Sequence, residues 1–425
     1  MLTRRVLWIG LLGAGLLGGV PAGALLPERQ TAKLDAQLQT LVEGGSTPGI
    51  VVIILRDGQP HFSRGVGVQQ PDGQAQIGRD QMFRYASMTK PVTSVAALIL
   101  VEEGKLGLDE PVSRYLPAFA DLKVRQPDST LAPAARPPTI KELLTHTAGF
   151  SYNFINRPGI ADAYAQAGVT DGLADPAIAT GEAMRRLASA PLAYQPGTEW
   201  HYSLATDVLG AVIEQVTGGT LGAFVTERIA KPLQLDSWVF QALTDQRGQF
   251  VGVTRPERVT GALGTGFVPV TTAERVPYPV TGGTALLDPE RVFSPTAYHS
   301  GGGGMSGSAR DYARFAQMLL NEGELDGARV LRAETVRQMT ANQIGALPVT
   351  LRGPGWGFGL GVSMVTDPAA AKTAQPPGSY GWGGIYGTGF WVDPVNGVVG
   401  VVMTQTAIIG SGPIANSVRE AFYAE

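Results

Sequence analysis

Ser87 and Lys90, in Ser87-Met88-Thr89-Lys90, carry the most specific chemistry in this sequence. They open the stretch "SMTKPVTSVAALILVEEGKL", in which Val92 to Leu100 is mostly Ala, Val, Ile and Leu. On a helix, positions i and i+3 share a face, so the lysine amine can reach the serine hydroxyl. An apolar setting penalises an ammonium: either Lys90 snorkels to solvent at the helix start, or its altered protonation is the point. A lysine with a lowered pKa can take the serine proton, and the helix N-terminus favours the negative charge that then develops on oxygen. No other serine in the chain is followed by lysine three positions on.

Other chemistries find little support. The four histidines, His61, His146, His201 and His299, form no His-Glu-x-x-His pair, which argues against a zinc hydrolase. No serine is centred in Gly-x-Ser-x-Gly, so the nucleophile elbow is missing, and no Gly-x-Gly-x-x-Gly follows a strand in a dinucleotide unit. Gly301 to Gly304 is not followed by Gly-Lys-Ser/Thr and reads as a tight turn or close packing rather than a phosphate loop. Cysteine is absent, which excludes disulfides, thiolate nucleophiles, Cys-ligated zinc and a lipidated cysteine anchor. A net charge of -3 offers no basic field for nucleic acid. No metal or cofactor is expected, and the partner is a small molecule.

The elements that must position Ser87 and Lys90 belong to a chain of 425 residues, 44% hydrophobic, long enough for a large core. Residues 1–24 read as a signal peptide: Arg4 and Arg5, an apolar run from Val6 to Val20, then Ala22-Gly23-Ala24. Export to the periplasm or medium, with no stable membrane anchor, is the expectation; a retained signal anchor is the alternative, for which the run is short and glycine-rich. Thr31 to Glu43 has helical apolar spacing, and "PGIVVIILRDGQPHFSRGVGVQ" reads as two strands joined at Asp57-Gly58. Four helical patterns follow, "TIKELLTHTAG", "TGEAMRRLASAP", "LATDVLGAVIEQVTGG" and "LGAFVTERIAKPL". Gln241 to Ser300 is irregular, and a stretch that long should border a site or a domain edge. "ARDYARFAQMLLNEG" is a strong helix, "GFGLGVSMVTD", "GSYGWGGIYGTGFWVDP" and "GVVGVVMTQT" are strands, and "IANSVREAFYAE" is a last helix. Residues 25–110 and 300–425 therefore form one α/β unit, interrupted over 111–299 by a helical insertion with an irregular loop region.

The stretch "FRYASMTKPVTSVAALILVEEGKLGLDEPVSRYLP" resembles the active-site helix of the class C β-lactamase-like serine hydrolases. That group includes β-lactamases, D-alanyl-D-alanine peptidases and family VIII carboxylesterases. The likeness continues in family order through "IKELLTHTAGF", "PGTEWHYSLATDVLGAVIEQVTG", "GGGGMSGSARDYARFAQMLLNEGELDG" and "GWGGIYGTGFWVDP". It implies an α/β (α+β) fold: an antiparallel sheet flanked by helices, with an all-helical inserted domain. It also implies that Ser87 is the nucleophile, Lys90 its partner, and Tyr202 the family's Tyr-x-Asn tyrosine, a phenol whose ionisation a nearby ammonium would ease. Trp382-Gly383-Gly384 takes the place of the family's Lys-Thr-Gly, as in family VIII esterases. The resemblance further implies an oxyanion hole from the backbone amides of Ser87 and Ile385.

Two departures bear on substrate. Leu204 stands where the family has asparagine, and Trp382-Gly383 replaces the residues that help bind the carboxylate of β-lactams and peptides. The resemblance therefore implies acyl-transfer chemistry without the usual anionic handle, which favours a carboxylesterase on short neutral esters. A β-lactamase or D-amino-acid peptidase is the nearest rival, and a sensor that acylates once without turnover is a reading of another class. His146 reads as structural and His201 as evenly balanced between cleft and structure. Trp200, Trp356, Phe358 and Trp391 read as core or pocket walls.

Overall fold

Alternation along the first strand sorts its side chains between two hydrophobic layers. Ile50, Val52 and Ile54 pack into one cluster, and Val51 and Ile53 into the other. Such two-sided burial is the pattern of a strand covered on both faces. The computed structural model describes residues 28–424 apart from 156, 175–176, 261–262, 279–280 and 408–411. The expected signal peptide over 1–24 lies outside the described residues.

In chain order the framing elements are α1 (Glu28–Glu43), β1 (Gly49–Arg56), β2 (Gln59–Gly67), α2 (Thr89–Glu102), α3 (Ile140–Thr145), α4 (Ala205–Thr217) and α5 (Ala309–Leu320). They continue with β3 (Trp356–Phe358), β4 (Ser363–Val365), β5 (Tyr380–Gly384), β6 (Thr388–Asp393), β7 (Val398–Met403) and α6 (Pro413–Tyr423). The strands form a seven-stranded antiparallel sheet in the order β3-β4-β5-β6-β7-β1-β2. Asp57 and Gly58 have φ of 50° and 76°, the left-handed pair that a two-residue hairpin turn requires. Leu34, Leu38 and Leu41 of α1 and Ile414, Val418 and Phe422 of α6 cover one face of the sheet. Trp391 of β6 lies in that layer directly across from Gly400 of β7, where a Cβ would overlap its indole ring. The other face packs on α5, with α2 among the residues of the same main core.

The antiparallel sheet flanked by helices is as the sequence implies. Between α2 and α5, the four expected helical patterns form α3, Thr180–Ser189, α4 and the continuous turns from Leu221 to Leu233. The segment between α2 and α5 is not all helical, however. It carries three two-stranded ribbons: Lys123–Arg125 with Leu131–Pro133, Thr254–Thr260 with Leu263–Pro269, and Glu274–Tyr278 with Gly283–Leu287. The last two occupy the stretch that reads as irregular. Pro256, Pro269 and Pro277 mask its strand pattern, and a two-stranded ribbon tolerates them because every strand in it is an edge. Tyr278 and Thr281, at the turn of the third ribbon, line a cavity that Ser87 also lines, so this stretch does border the site.

Candidate active site

Ser87 sits in the single 3-10 turn Ala86–Met88, which feeds directly into α2. Ala86 has a φ of 46°, a left-handed conformation that costs an L-residue about 1–2 kcal/mol. Several hydrogen bonds hold the turn in place. Thr89 Oγ1 donates to Ala86 O at 2.7 Å, Tyr312 Oη to Met88 O at 2.8 Å, and Thr388 Oγ1 to Tyr85 O at 3.0 Å. Ser87 lines an open cleft of about 940 Å³, solvent at its mouth included.

Every residue of α2 from Thr89 to Leu100 is buried, so the helix has no polar face to which a lysine could snorkel. Lys90 is only 1% exposed, and its Nζ lies 3.2 Å from Ser87 Oγ. It donates to the Gly302 carbonyl at 2.6 Å and stands 4.7 Å above the Tyr202 ring and 5.3 Å from that of Tyr152. Desolvation lowers its pKa to about 7, against the opposing pull of Asp207 and Asp171. Near neutral pH a large share of the amine is therefore uncharged and able to receive the Ser87 proton.

Gly302 explains the glycine run. A Cβ there would overlap Asp207 Oδ2, and one at Gly301 would overlap the Thr206 carbonyl. The run is a close approach of backbone to α4, as its sequence suggests, and it delivers the Gly302 carbonyl to Lys90. Asp207 is itself 2% exposed; its Oδ1 accepts from Ser300 Oγ at 2.5 Å and from Tyr298 Oη at 3.3 Å. Burial raises its pKa, with Lys90 as the largest opposing influence.

Tyr202 lines the same cavity as Ser87. The expectation that an ammonium eases its ionisation is not met. Burial pushes the phenol well above its usual range, and the Ser87 and Trp382 side chains only partly offset this. Tyr202 is a neutral phenol here, able to pass a proton but not to act as a standing phenolate. Trp382, Gly383 and Ile385 also line the cavity. Gly384 does not, but a Cβ on it would overlap the Tyr85 carbonyl, so it lets β5 lie against the nucleophile turn. Leu204 is not part of the site. It is 1% exposed in the main core, its amide donating to Ser151 O at 3.2 Å as the chain enters α4.

His146, at the left-handed end of α3, packs 5.0 Å from the Tyr202 ring with Nδ1 3.2 Å from Ser203 Oγ. Burial holds it neutral, and it supports the tyrosine from behind, as a structural residue does. His201 points away to Ser151 Oγ at 3.1 Å and lies outside the cavity lining. Trp200, Phe358 and Trp391 are buried in the core, and Trp356 packs against it.

Four features escape the motif reading: Tyr152, Asp171, Asp207 and Arg352. Asp207 had a usable signal, since it is a carboxylate inside the apolar pattern "LATDVLGAVIEQV", just as Lys90 is a cation inside another. Arg352 corrects an expectation. It lines the cavity with its guanidinium 5.2 Å from the Trp382 ring and 5.0 Å from that of Trp356, so the site does hold a cation beside β5. Among the described residues no group of His, Cys, Asp and Glu could hold a metal ion, and no single helix is long and apolar enough to cross a membrane.

The chain matches the beta-lactamase family model over residues 34–420. It is 37% identical over 400 residues to the esterase EstB of Burkholderia gladioli, covering 92% of this chain and 95% of that protein. It is 29% identical to the lovastatin esterase of Penicillium rubens, over 92% and 96% of the two chains. Among solved structures it resembles EstCE1, a hydrolase with promiscuous acyltransferase activity, with a TM-score of 0.82 and 30% identity over 93% of this chain and 99% of that one.

Proposed function

The chain belongs to the beta-lactamase family and is a serine hydrolase, and from that premise we propose that it is an exported carboxylesterase acting on short esters through an acyl-enzyme. The observation that carries this reading is the 3.2 Å approach of a buried Lys90 amine, its pKa lowered to about 7, to Ser87 Oγ in an aromatic-walled cavity. Ser87 Oγ attacks the ester carbonyl while its proton passes to Lys90 Nζ. The amides of Ser87 and Ile385 hold the oxyanion. As the carbonyl re-forms, the leaving alkoxide takes a proton through the Tyr202 phenol, which is replenished from the Lys90 ammonium. Water then attacks the acyl-serine by the same proton route in reverse. Similarity to EstB and to the lovastatin esterase supports ester over amide chemistry.

Arg352 favours a second reading, in which the same machinery acts on a carboxylate-bearing β-lactam or D-amino-acid peptide. Relatives described as putative D-alanyl-D-alanine carboxypeptidases, from Escherichia coli, accord with it at 26–27% identity. Rates on a short p-nitrophenyl ester, a chromogenic cephalosporin and a D-Ala-D-Ala peptide separate the two. The esterase reading requires the ester to be turned over with the highest kcat/KM, and faster β-lactam or peptide hydrolysis would replace it.

A further inference from the structure

The cavity has a second polar wall that the hydrolytic steps leave unused. Asp171 lines it, and its Oδ1 is occupied by the Asn153 amide at 2.9 Å and Asn153 Nδ2 at 3.0 Å. Among the described residues Oδ2 has no hydrogen-bond or ion-pair partner. The aromatic residues Tyr152, Phe154, Tyr202 and Tyr278 line the cavity together with this carboxyl. Tyr152 and Phe154 stack at 4.5 Å, Tyr278 meets Phe154 edge-on at 5.6 Å, and Tyr152 meets Tyr202 at 5.2 Å. A carboxyl with one free oxygen, lining the same cavity as several aromatic rings, suits an organic cation, because ring quadrupole and negative charge act in the same direction. Arg352 stands on the Trp382 wall of the same cavity and would repel a cation there, whereas Lys90, 5.3 Å from the Tyr152 ring, is mostly uncharged above pH 7, which leaves the Asp171 wall as the favourable place.

We propose that Asp171, Tyr152, Phe154 and Tyr278 form a subsite for an ammonium or quaternary ammonium group on the ester substrate. The inference rests on the esterase reading above and narrows its substrates to esters that carry a cation a few atoms from the carbonyl. Burial lifts the Asp171 carboxyl to about 7, with Asp207 adding to the rise and Arg275 opposing it, so assays at pH 8 keep the carboxylate form.

The test compares isosteres that differ in one charge. The p-nitrophenyl ester of 4-(trimethylammonio)butyrate is set against that of 5,5-dimethylhexanoate, and butyrylcholine against 3,3-dimethylbutyl butyrate. The expected result is at least a ~10-fold higher kcat/KM for the cationic member of one pair, the scale of a desolvated cation–π contact. The pair that responds shows whether the cation sits on the acyl or the alcohol side. Asp171→Asn, or Tyr278→Leu should the first variant not fold, should collapse that ratio. No preference in either pair, or a preference that survives Asp171→Asn, overturns the proposal. Failure to hydrolyse any of the four esters refutes the esterase reading instead. In that event choline and 3,3-dimethylbutan-1-ol are compared as protectants of Ser87 against a fluorophosphonate. Protection by choline at roughly tenfold lower concentration upholds the cation subsite, and equal protection rejects it.

Discussion

Lys90 Nζ donates to the Gly302 carbonyl at 2.6 Å, across 212 residues of sequence. This bond fixes the amine at the buried N-terminal end of α2 and leaves its remaining valence directed at Ser87. Gly302 is thus as much a part of the arrangement as the lysine. Replacing it by alanine would place a methyl group against Asp207 Oδ2. Gly302→Ala should therefore displace the carbonyl, lower kcat by roughly 10-fold or more, and destabilise the fold by about 1–3 kcal/mol, the usual cost of forced overpacking. Thermal unfolding and steady-state rates on one ester check both effects.

Ser87 is expected to be the site of covalent reaction. A fluorophosphonate should label the wild-type chain once, on the peptide containing Ser87, and Ser87→Ala should abolish labelling and turnover together. Mass spectrometry of the digested adduct decides it; a label on another serine would dismantle the acyl-enzyme scheme.

The pH profile should report Lys90. A base must be unprotonated to act, so with a pKa of about 7 kcat/KM should climb with pH and level off above that value. Asp207 is the largest influence opposing the depression of that pKa. Asp207→Asn removes it, so the acid limb should move to lower pH, whereas an unmoved or raised limb would assign the titration to another group. Lys90→Ala and Tyr202→Phe should each lower kcat by roughly 10²-fold or more, with non-additive effects in the double variant.

Substrate charge gives a fourth prediction. A short p-nitrophenyl ester should exceed nitrocefin in kcat/KM by at least roughly 10²-fold, about the discrimination that mismatched polar groups produce. The residual nitrocefin rate should depend on Arg352, so Arg352→Leu should widen the ratio. Efficient nitrocefin turnover that vanishes in Arg352→Leu would establish the arginine as a carboxylate anchor and favour the β-lactamase reading.

Export is tested at the N-terminus. Protein recovered from periplasm or medium should begin near Leu25, after Ala22-Gly23-Ala24. Edman sequencing that returns Met1 on membrane-bound protein would identify an anchor instead.

Much of this site is legible in the sequence because its parts are local. Ser87 and Lys90 are one helical turn apart, so the sequence alone predicts their meeting, and the 3.2 Å separation agrees. The strand pairs and most helices follow from apolar periodicity. What the sequence hides depends on long-range burial. Tyr202 could be named by its motif, but its neutral state follows from how completely the fold desolvates it. Leu204 occupies a motif position, yet its side chain turns into the core rather than the cavity. Arg352 and Asp171 belong to no recognisable pattern; both lie in connecting segments outside the strands, and only the tertiary fold brings them to one cavity. The two ribbons between residues 254 and 287 were obscured by prolines that an edge strand accommodates.

The left-handed Ala86 has a consequence for biosynthesis. Its turn is held by Tyr85 and Met88 contacts to Ser308, Tyr312 and Thr388, residues that leave the ribosome long after Ser87 does. Until those partners arrive, only the local Thr89 bond to Ala86 O opposes the unfavourable backbone angle, and the local chain should relax away from it. The reactive serine is therefore a product of the last stages of folding, and a chain truncated before Thr388 should be chemically silent even where its earlier helices have formed.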